Sequence, residues 1–171
     1  SQAQMTVHVV SQADSNVSAS REPFTPAPGP SFTPSSVTAD PTSMAVYTQD
    51  GGRGQIARLD FDEENVELAE TGVVDQRTIN HLTLIGPPDE RVLVSTDAPD
   101  AVTGLLGDAD YEEQVVWRSA DNGEELARSE PLPPPFIGGP VTPGFDGNHF
   151  YLGLDGTIRE LFTTCADPGC D

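Results

Sequence analysis

Residues 114–162 read QVVWRSADNGEELARSEPLPPPFIGGPVTPGFDGNHFYLGLDGTIRELF, and this stretch decides the fold of the 171-residue chain. It opens with a Val-Val-Trp run at 115–117, and β-branched and aromatic residues of this kind favour a strand. Asp121-Asn122-Gly123 follows, and these residue types accept the positive φ angles of a hairpin turn. The proline-rich crossing at 131–135 must leave the sheet, because proline cannot donate a ladder hydrogen bond.

Two further turns divide the second half of the stretch. Asp146-Gly147 precedes a predicted strand at 150–154, and Asp155-Gly156 precedes another at 157–162. Turns at such short and regular spacing are typical of an antiparallel meander. The stretch therefore predicts strands joined in sequence order, without helices.

These residues resemble the pyrroloquinoline-quinone-like (PQQ-like) repeat of β-propellers across 114–162. The segment NGEEL at 122–126 is similar to the turn by which the repeat leaves one blade. The entry to the next blade is matched by Gly139-Pro140-Val141, Asp146-Gly147, Tyr151, Gly153 and Asp155-Gly156. The chain departs from the repeat at Ala127, where the family usually has a tryptophan that packs between blades.

An earlier segment repeats the same order of strands and turns. Strands are predicted over 44–48, 55–61, 66–69, 79–85 and 91–95, followed by an insertion over 97–112. Strict alternation does not place Ile56, Leu59 and Phe61 on one face, so one core face would require a bulge in this strand. At four strands for each blade, the chain holds about two complete blades and part of a third.

So few blades do not close a ring, since closed propellers have about four or more. The chain could be a piece of a longer propeller, other copies or subunits could complete the ring, or the strands could form a β-sandwich. The predicted fold class is therefore all-β, an antiparallel meander of the propeller-blade type that is incomplete or shared. The β-sandwich is the alternative.

The N-terminal part of the chain differs in composition. A strand is predicted over 5–10, and residues 11–40 are rich in Ser, Thr, Ala and Pro, as in extended linkers. We divide the chain into a strand with a Pro-rich N-terminal arm over 1–42 and a β-rich domain over 43–171. A tethered strand can add to a sheet edge, so we expect this arm to take part in self-association or in binding other protein subunits.

The charge of the chain restricts its partners. It has 28 acidic residues against 8 basic ones, a net charge of -20, and every basic residue is arginine. Such a charge repels phosphate backbones and anionic lipids, so neither nucleic acid nor a membrane surface is an expected partner. It suits cations, basic protein surfaces or a halophilic setting, in which molar salt shortens the Debye length to about 3 Å. No apolar run approaches the roughly 20 residues of a membrane span, so no membrane insertion is predicted.

The two cysteines indicate a compartment. Cys165 and Cys170 are the only cysteines, and Pro168-Gly169 between them is a natural tight turn. A disulfide across this small loop is geometrically feasible, whereas zinc would need two further ligands and the three histidines lie in unrelated segments. We predict a Cys165–Cys170 disulfide and, with it, an extracytoplasmic location that is secreted, periplasmic or at the cell surface.

Acidic clusters provide the candidate metal ligands. Asp60 and Asp62 lie at a strand end, and Asp108 and Asp110 flank a glycine-containing loop. Carboxylates at alternating positions in a turn suit calcium, although neither cluster follows the twelve-residue calcium loop. These four residues are therefore candidate ligands of a calcium ion, and no other cofactor is predicted.

Motifs for catalysis are missing from the sequence. It contains no Gly-x-Ser-x-Gly elbow, no phosphate-binding Gly-rich motif and no Cys-x-x-Cys pair. Quinoprotein dehydrogenases with the repeat commonly hold their cofactor over adjacent cysteines and calcium, and this chain has no adjacent cysteines. The resemblance instead implies a scaffold for protein assembly.

The predicted function is a non-catalytic, extracytoplasmic binding or assembly module, as a subunit or accessory part of a larger complex. The alternative is a fragment or subunit of a propeller enzyme, either a quinoprotein-like dehydrogenase or a carbohydrate-active enzyme.

Overall fold

The computed structural model describes residues 6–24, 37–78, 80–98, 112–134, 141–144 and 147–162. These residues form 13 strands in four antiparallel sheets, none of which closes on itself. They contain no helix, and thus none that is long and apolar enough to cross a membrane. The predicted all-β class is confirmed.

Each sheet is built from strands that follow one another along the chain. The N-terminal hairpin consists of β1 (Val7–Val10) and β2 (Val17–Arg21). The first sheet consists of β3 (Val37–Asp40), β4 (Ala45–Asp50), β5 (Gln55–Asp62) and β6 (Glu67–Asp75). The second sheet consists of β7 (Thr83–Ile85), β8 (Val92–Asp97), β9 (Gln114–Ser119) and β10 (Glu125–Arg128). The third sheet consists of β11 (Val141–Pro143), β12 (His149–Leu152) and β13 (Ile158–Leu161).

The turns form where the sequence predicts them. Gly123 and Gly156 have φ angles of 75° and 78°, which glycine adopts without steric cost. In the β9–β10 turn the Asn122 side chain accepts the backbone N–H of Glu124 at 2.9 Å. The Asp155 side chain accepts the N–H of Thr157 in the same way at 3.0 Å. These local bonds fix two predicted hairpins and the meander order of the second and third sheets.

The hairpin and the three sheets pack face to face in series, and an apolar cluster fills each interface. Between the hairpin and the first sheet lie Val7, Ala19, Leu59 and Leu68. Between the first and second sheets lie Ala45, Tyr47, Ile56, Leu82, Leu93 and Ala120. Between the second and third sheets lie Val94, Val115, Trp117, Leu132, Val141 and Tyr151. The first and second sheets are therefore covered on both faces, whereas the described residues cover only one face of the hairpin and one face of the third sheet.

Strand β5 corrects one expectation about register. The bulge is present, because Arg58 pairs with Gly72 and Leu59 with Glu70, which leaves Thr71 as the extra residue on β6. It does not, however, turn the apolar residues of β5 to one core. Ile56 packs toward the second sheet and Leu59 toward the hairpin, because both faces of the first sheet are buried.

Two segments differ from the predicted strand pattern. The strand predicted over 79–85 is shorter and covers only β7, because Asn80 and Leu82 lie in the connection from β6, where they are buried. The segment predicted as an extended arm contains β2 and β3. β2 pairs with β1 after a local turn in which Asp14 accepts the Asn16 backbone N–H at 3.1 Å, and β3 pairs with β4.

The first strands of the three sheets lie side by side. β3 contacts β7, and β7 contacts β11. The Thr38 hydroxyl donates to the Leu82 carbonyl at 2.6 Å, which joins the inner edges of the first and second sheets. Nearby, Arg91 lies 3.4 Å from the buried carboxylate of Asp40. The three sheets are therefore stacked face to face, and their first strands lie next to one another on one side of the stack.

Candidate functional site

A buried cluster of polar side chains lies where the second sheet meets the third. Successive antiparallel strands reverse direction, so the connection after β6, the end of β8 and the start of β9 meet at one edge. Asn80 Nδ2 donates to Glu113 Oε1 at 2.8 Å and to Thr96 Oγ1 at 2.9 Å, and the Thr78 and Thr96 hydroxyl oxygens are 3.2 Å apart. The Tyr151 hydroxyl oxygen of β12 lies 3.2 Å from Glu113 Oε2. We call these five residues the polar junction.

Glu113 is the centre of the polar junction. Its backbone forms two hydrogen bonds with Leu132, and the residue is 0% exposed. Burial raises the pKa of the Glu113 carboxyl to about 7, against the smaller opposing effects of hydrogen bonds from Thr96, Tyr151 and Asn80. None of the ion pairs among the described residues includes this carboxyl.

The nearest carboxylate, Asp97, already has a cation. Arg128 NH1 donates to Asp97 Oδ2 at 2.9 Å, and the backbone N–H of Arg77 donates to Oδ1 at 3.0 Å. Arg128 also donates through NH2 to Glu125 at 2.8 Å. The positive charge of Arg128 is therefore held by two other carboxylates.

An aromatic pair lies in the same interface. The Trp117 and His149 rings are 5.8 Å apart and meet edge to face at 76°. Burial lowers the pKa of His149, with a smaller opposing effect from the backbone of Gly147. The Trp117 indole N–H has no acceptor among the described residues. Trp117 is thus a packed core residue, as the sequence indicates.

The polar junction can hold a proton but cannot reach a substrate. Glu113, Thr96 and Tyr151 are each 0% exposed. A carboxyl with a pKa near neutrality can change its charge within the physiological pH range. Gain or loss of the Glu113 proton therefore acts on the contact between the second and third sheets, which Glu113 makes with Tyr151.

A groove of about 360 Å³ opens beside this interface, on the side of Ala127. Trp117, Ala127 and Leu132 form one wall, and Leu161 and Phe162 of the third sheet form the other. Ala127 pairs with Trp117 and shares its face, so the small side chain at 127 leaves this space open. In the predicted resemblance to the PQQ-like repeat, a tryptophan would stand at this position.

Replacing Ala127 with tryptophan is expected to raise the free energy of unfolding by about 1 kcal/mol. The gain from burying a large apolar side chain exceeds the cost of fitting it into the groove. Leu126→Trp is the matched control, because Leu126 is 55% exposed and its replacement fills no groove. Urea denaturation of both variants measures the effect, and an Ala127→Trp protein less stable than the parent would show that the groove does not accept the ring.

A smaller cleft, of about 90 Å³, separates the first and second sheets. Arg58 and Arg118 line it, but both guanidinium groups are already paired. Arg58 contacts Asp60 at 2.7 Å and Asp121 at 3.2 Å, and Arg118 contacts Glu125 at 3.1 Å. Arg58 links the first sheet to the second through Asp121, and Arg118 links the second sheet to the connection after β6 by donating to Gln76 Oε1 at 2.6 Å.

The third sheet presents an apolar outer face. Phe150 pairs with Thr142 and Glu160, and Leu152 pairs with Ile158, so these five residues share the face that points away from the second sheet. Ile158 is 71% exposed and Phe150 37%. Phe162, just after β13, is 65% exposed but lines the groove and is not counted with this face. Exposed aromatic and aliphatic side chains grouped in this way mark interaction surfaces.

The predicted calcium ligands that the structure describes are occupied by protein groups. The Asp60 carboxylate accepts from Arg58 Nε, and the Asp62 carboxylate accepts from the Asn65 side chain at 2.7 Å and from two backbone N–H groups. The bonds from Asn65 lower the pKa of Asp62. Among the described residues no group of three or more His, Cys, Asp or Glu could hold a metal.

Four predicted site residues lie outside the described residues. They are Asp108 and Asp110 of the second acidic cluster and Cys165 and Cys170 of the predicted disulfide. Calcium binding and the disulfide stay predictions.

Comparisons with known proteins were made for the whole chain. Protein-family models, curated proteins and solved structures give no match. The resemblance of residues 114–162 to the PQQ-like repeat therefore stays a prediction.

The sequence analysis does not predict the contact between the Glu113 and Tyr151 side chains. A signal for Glu113 was present, because residues 113, 115 and 117 alternate onto one face of β9, and the other two positions are Val and Trp. A carboxyl that continues an apolar face in this way indicates a buried acid. No comparable signal connects it to Tyr151, which lies 38 positions further along the chain.

Proposed function

We propose that this chain is a non-catalytic, extracytoplasmic assembly module of the β-propeller type, which binds another protein subunit on the outer face of its third sheet. The observation that carries the proposal is the exposed apolar face around Phe150 and Ile158. The first and second sheets cover both of their faces within the chain. Among the described residues the third sheet is covered on only one face, so a further sheet or an apolar surface from a partner would continue the series.

The arrangement of the sheets supports the propeller type. Three consecutive meanders pack face to face, and their first strands β3, β7 and β11 contact one another in order. Blades of a propeller have this relation, whereas a β-sandwich packs two sheets as a pair. Two sheets of four strands and one of three also agree with the predicted two blades and part of a third.

A comparison of the two ends of the series, the N-terminal hairpin and the third sheet, favours the third sheet as the binding surface. Val7 and Ala19 of the hairpin pack on Leu59 and Leu68 of the first sheet, so its apolar face is used within the chain. The outer face of the third sheet has larger exposed apolar side chains than the hairpin, which exposes Val10 and Val17. Partner binding is therefore assigned to the third sheet.

The charge of the chain selects a partner with a basic rim. A net charge of -20 attracts a basic surface and repels a second copy of the chain. Glu160 lies on the outer face itself, beside Phe150. Added salt should accordingly weaken binding to a basic partner, and it should strengthen self-association by screening the repulsion between copies.

The test is a co-purification of the tagged chain from the cells that produce it, with Ile158→Glu compared with Leu126→Glu. Both variants add one carboxylate at an exposed apolar position, but only Ile158 lies on the outer face of the third sheet. We expect Ile158→Glu to weaken the binding of the co-purified subunit at least about tenfold, the effect of a central interface residue. Leu126→Glu should leave binding unchanged.

Equal retention of the subunit by both variants would overturn the proposal. A native mass that is a multiple of 18.1 kDa, with association that strengthens in salt, would instead show self-association and refute the basic partner.

A further inference from the structure

We propose that Glu113 is a proton switch: with its carboxyl protonated it holds the third sheet against the second, and with its carboxylate ionised this contact weakens. The inference follows from the polar junction alone. Only its consequence for partner binding rests on the proposed function, because the third sheet carries the proposed binding face.

The Tyr151 hydroxyl can form hydrogen bonds with Pro133 and Glu113 at the same time only when Glu113 carries a proton. The Tyr151 hydroxyl has one hydrogen, and it donates that hydrogen to the Pro133 carbonyl, which can only accept. Its oxygen also lies 3.2 Å from Glu113 Oε2. As long as the Tyr151 hydrogen is donated to Pro133, this second contact is a hydrogen bond only when Glu113 is protonated and donates to the Tyr151 oxygen. An ionised Glu113 would place two acceptors against each other while the Pro133 bond is made.

The surroundings of Glu113 give its ionised form little support. Asn80 donates to Oε1, the Thr96 hydroxyl is a second nearby donor, and the Tyr151 hydroxyl can donate to Oε2 only by giving up its bond to Pro133. The charged and titratable groups on the elements around it are Arg77, His81, Asp97, Glu112, Arg118, Glu125, Arg128, Glu130, His149, Tyr151, Arg159 and Glu160. Arg128 is committed to Asp97 and Glu125, and Arg159 to Asp155 at 3.0 Å, so neither neutralises Glu113. Burial and the charge of Asp97 both raise the pKa of Glu113, to about 7.

The contact that depends on the proton joins the two sheets. Glu113 precedes β9 of the second sheet, and Tyr151 is the fully buried centre of β12 in the third. Asn80 and Thr96, by contrast, belong to the connection into the second sheet and to the second sheet itself. Ionisation of Glu113 therefore acts on the docking of the third sheet.

The direction of the pH effect follows from the raised pKa. The ordinary pKa of a glutamate is 4.5, and that of Glu113 in the folded protein is about 7. Between pH 4.5 and about pH 7 the folded protein therefore binds more protons at Glu113 than the unfolded chain does. The contribution of Glu113 is therefore complete below pH 4.5 and is lost as the pH rises through about 7. His149 acts in the opposite sense, because its lowered pKa costs stability as the pH falls below 6.5. A comparison with Glu113→Gln removes the His149 effect, since both proteins contain it.

The experiment measures urea denaturation of the full chain and of Glu113→Gln at pH 5, 6, 7 and 8. Fluorescence of Trp117, the single tryptophan, reports on the interface between the two sheets. We expect the ratio of the two folding equilibrium constants, parent over variant, to fall at least about tenfold between pH 5 and pH 8, as one unit of pKa shift requires. A ratio that does not change with pH would overturn the proposal.

A second measurement decides the matter if Glu113→Gln does not fold. NMR of the parent protein follows the Glu113 side-chain carboxyl carbon through a pH titration. A midpoint near 7, with resonances of β12 shifting at the same pH, is the expected result. A midpoint near 4.5 would refute the switch. Neither measurement involves a partner, so the proton switch and the proposed assembly function can fail separately.

Discussion

Replacing Tyr151 with alanine is expected to lower the free energy of unfolding by about 3–5 kcal/mol, the range for removing a buried aromatic side chain. Tyr151 is 0% exposed and packs with Val115, Leu132 and Val141 between the second and third sheets. Its removal would leave a cavity there. It would also leave the Pro133 carbonyl and Glu113 Oε2 without the hydroxyl that they both contact, and unpaired buried polar groups add to the cost.

Tyr151→Phe separates packing from hydrogen bonding. It keeps the ring and removes only the hydroxyl, so we expect a loss of about 1–2 kcal/mol. Urea denaturation monitored by Trp117 fluorescence measures both variants in the interface concerned. If Tyr151→Ala were no less stable than Tyr151→Phe, the third sheet would not depend on this side chain for its docking.

Replacing Leu59 with alanine is expected to cost about 2–5 kcal/mol of unfolding free energy. Leu59 is 0% exposed and packs with Val7 and Ala19 of the N-terminal hairpin and with Leu68 of β6. The cost arises because these neighbours belong to two sheets that cannot both close on the space left behind. This variant tests whether the hairpin is an integral layer of the protein.

Leu126→Ala is the matched control for Leu59→Ala, because Leu126 is 55% exposed and should cost less than about 0.5 kcal/mol. Chemical denaturation by urea, monitored by far-UV circular dichroism, measures both leucine variants. Similar small losses for the two would mean that the hairpin is not packed on the first sheet in solution.

Strands β4, β5, β8, β9, β12 and β13 could be read from the sequence because local features define them. Tyr47 and Ile56 lie in runs of β-branched and aromatic residues, and Gly123 and Gly156 occupy turns that favour positive φ. Such features act between near neighbours in the chain. The all-β class and the meander order follow from them.

Features that depend on distant pairing could not be read in this way. The segment predicted as an extended arm contains β2, whose Ala19 becomes buried only when the hairpin docks on Leu59. Ile56 and Leu59 do not share a face because the first sheet is covered on both sides, which one strand cannot reveal. The contact of Glu113 with Tyr151 likewise exists only after the third sheet has docked.

Ala127 is a small residue in the wall of the groove between the second and third sheets. If the predicted resemblance to the PQQ-like repeat holds, this small residue stands where the repeat usually has a tryptophan. The structure has a groove of about 360 Å³ at that position, lined by Leu161 and Phe162 of the third sheet. With this wall incompletely filled, the docking of the third sheet depends more strongly on Tyr151 and the polar junction.

Photo-crosslinking examines the proposed binding of another protein subunit to the outer face of the third sheet without altering the stability of the interface. A benzophenone amino acid placed at position 158 lies on this face, and one at position 126 lies on an exposed site of the second sheet. Irradiation in the producing cells should yield a covalent adduct of the 18.1-kDa chain with one partner of basic composition from position 158 and none from position 126. Absence of an adduct from position 158, or the same adducts from both positions, would contradict the account.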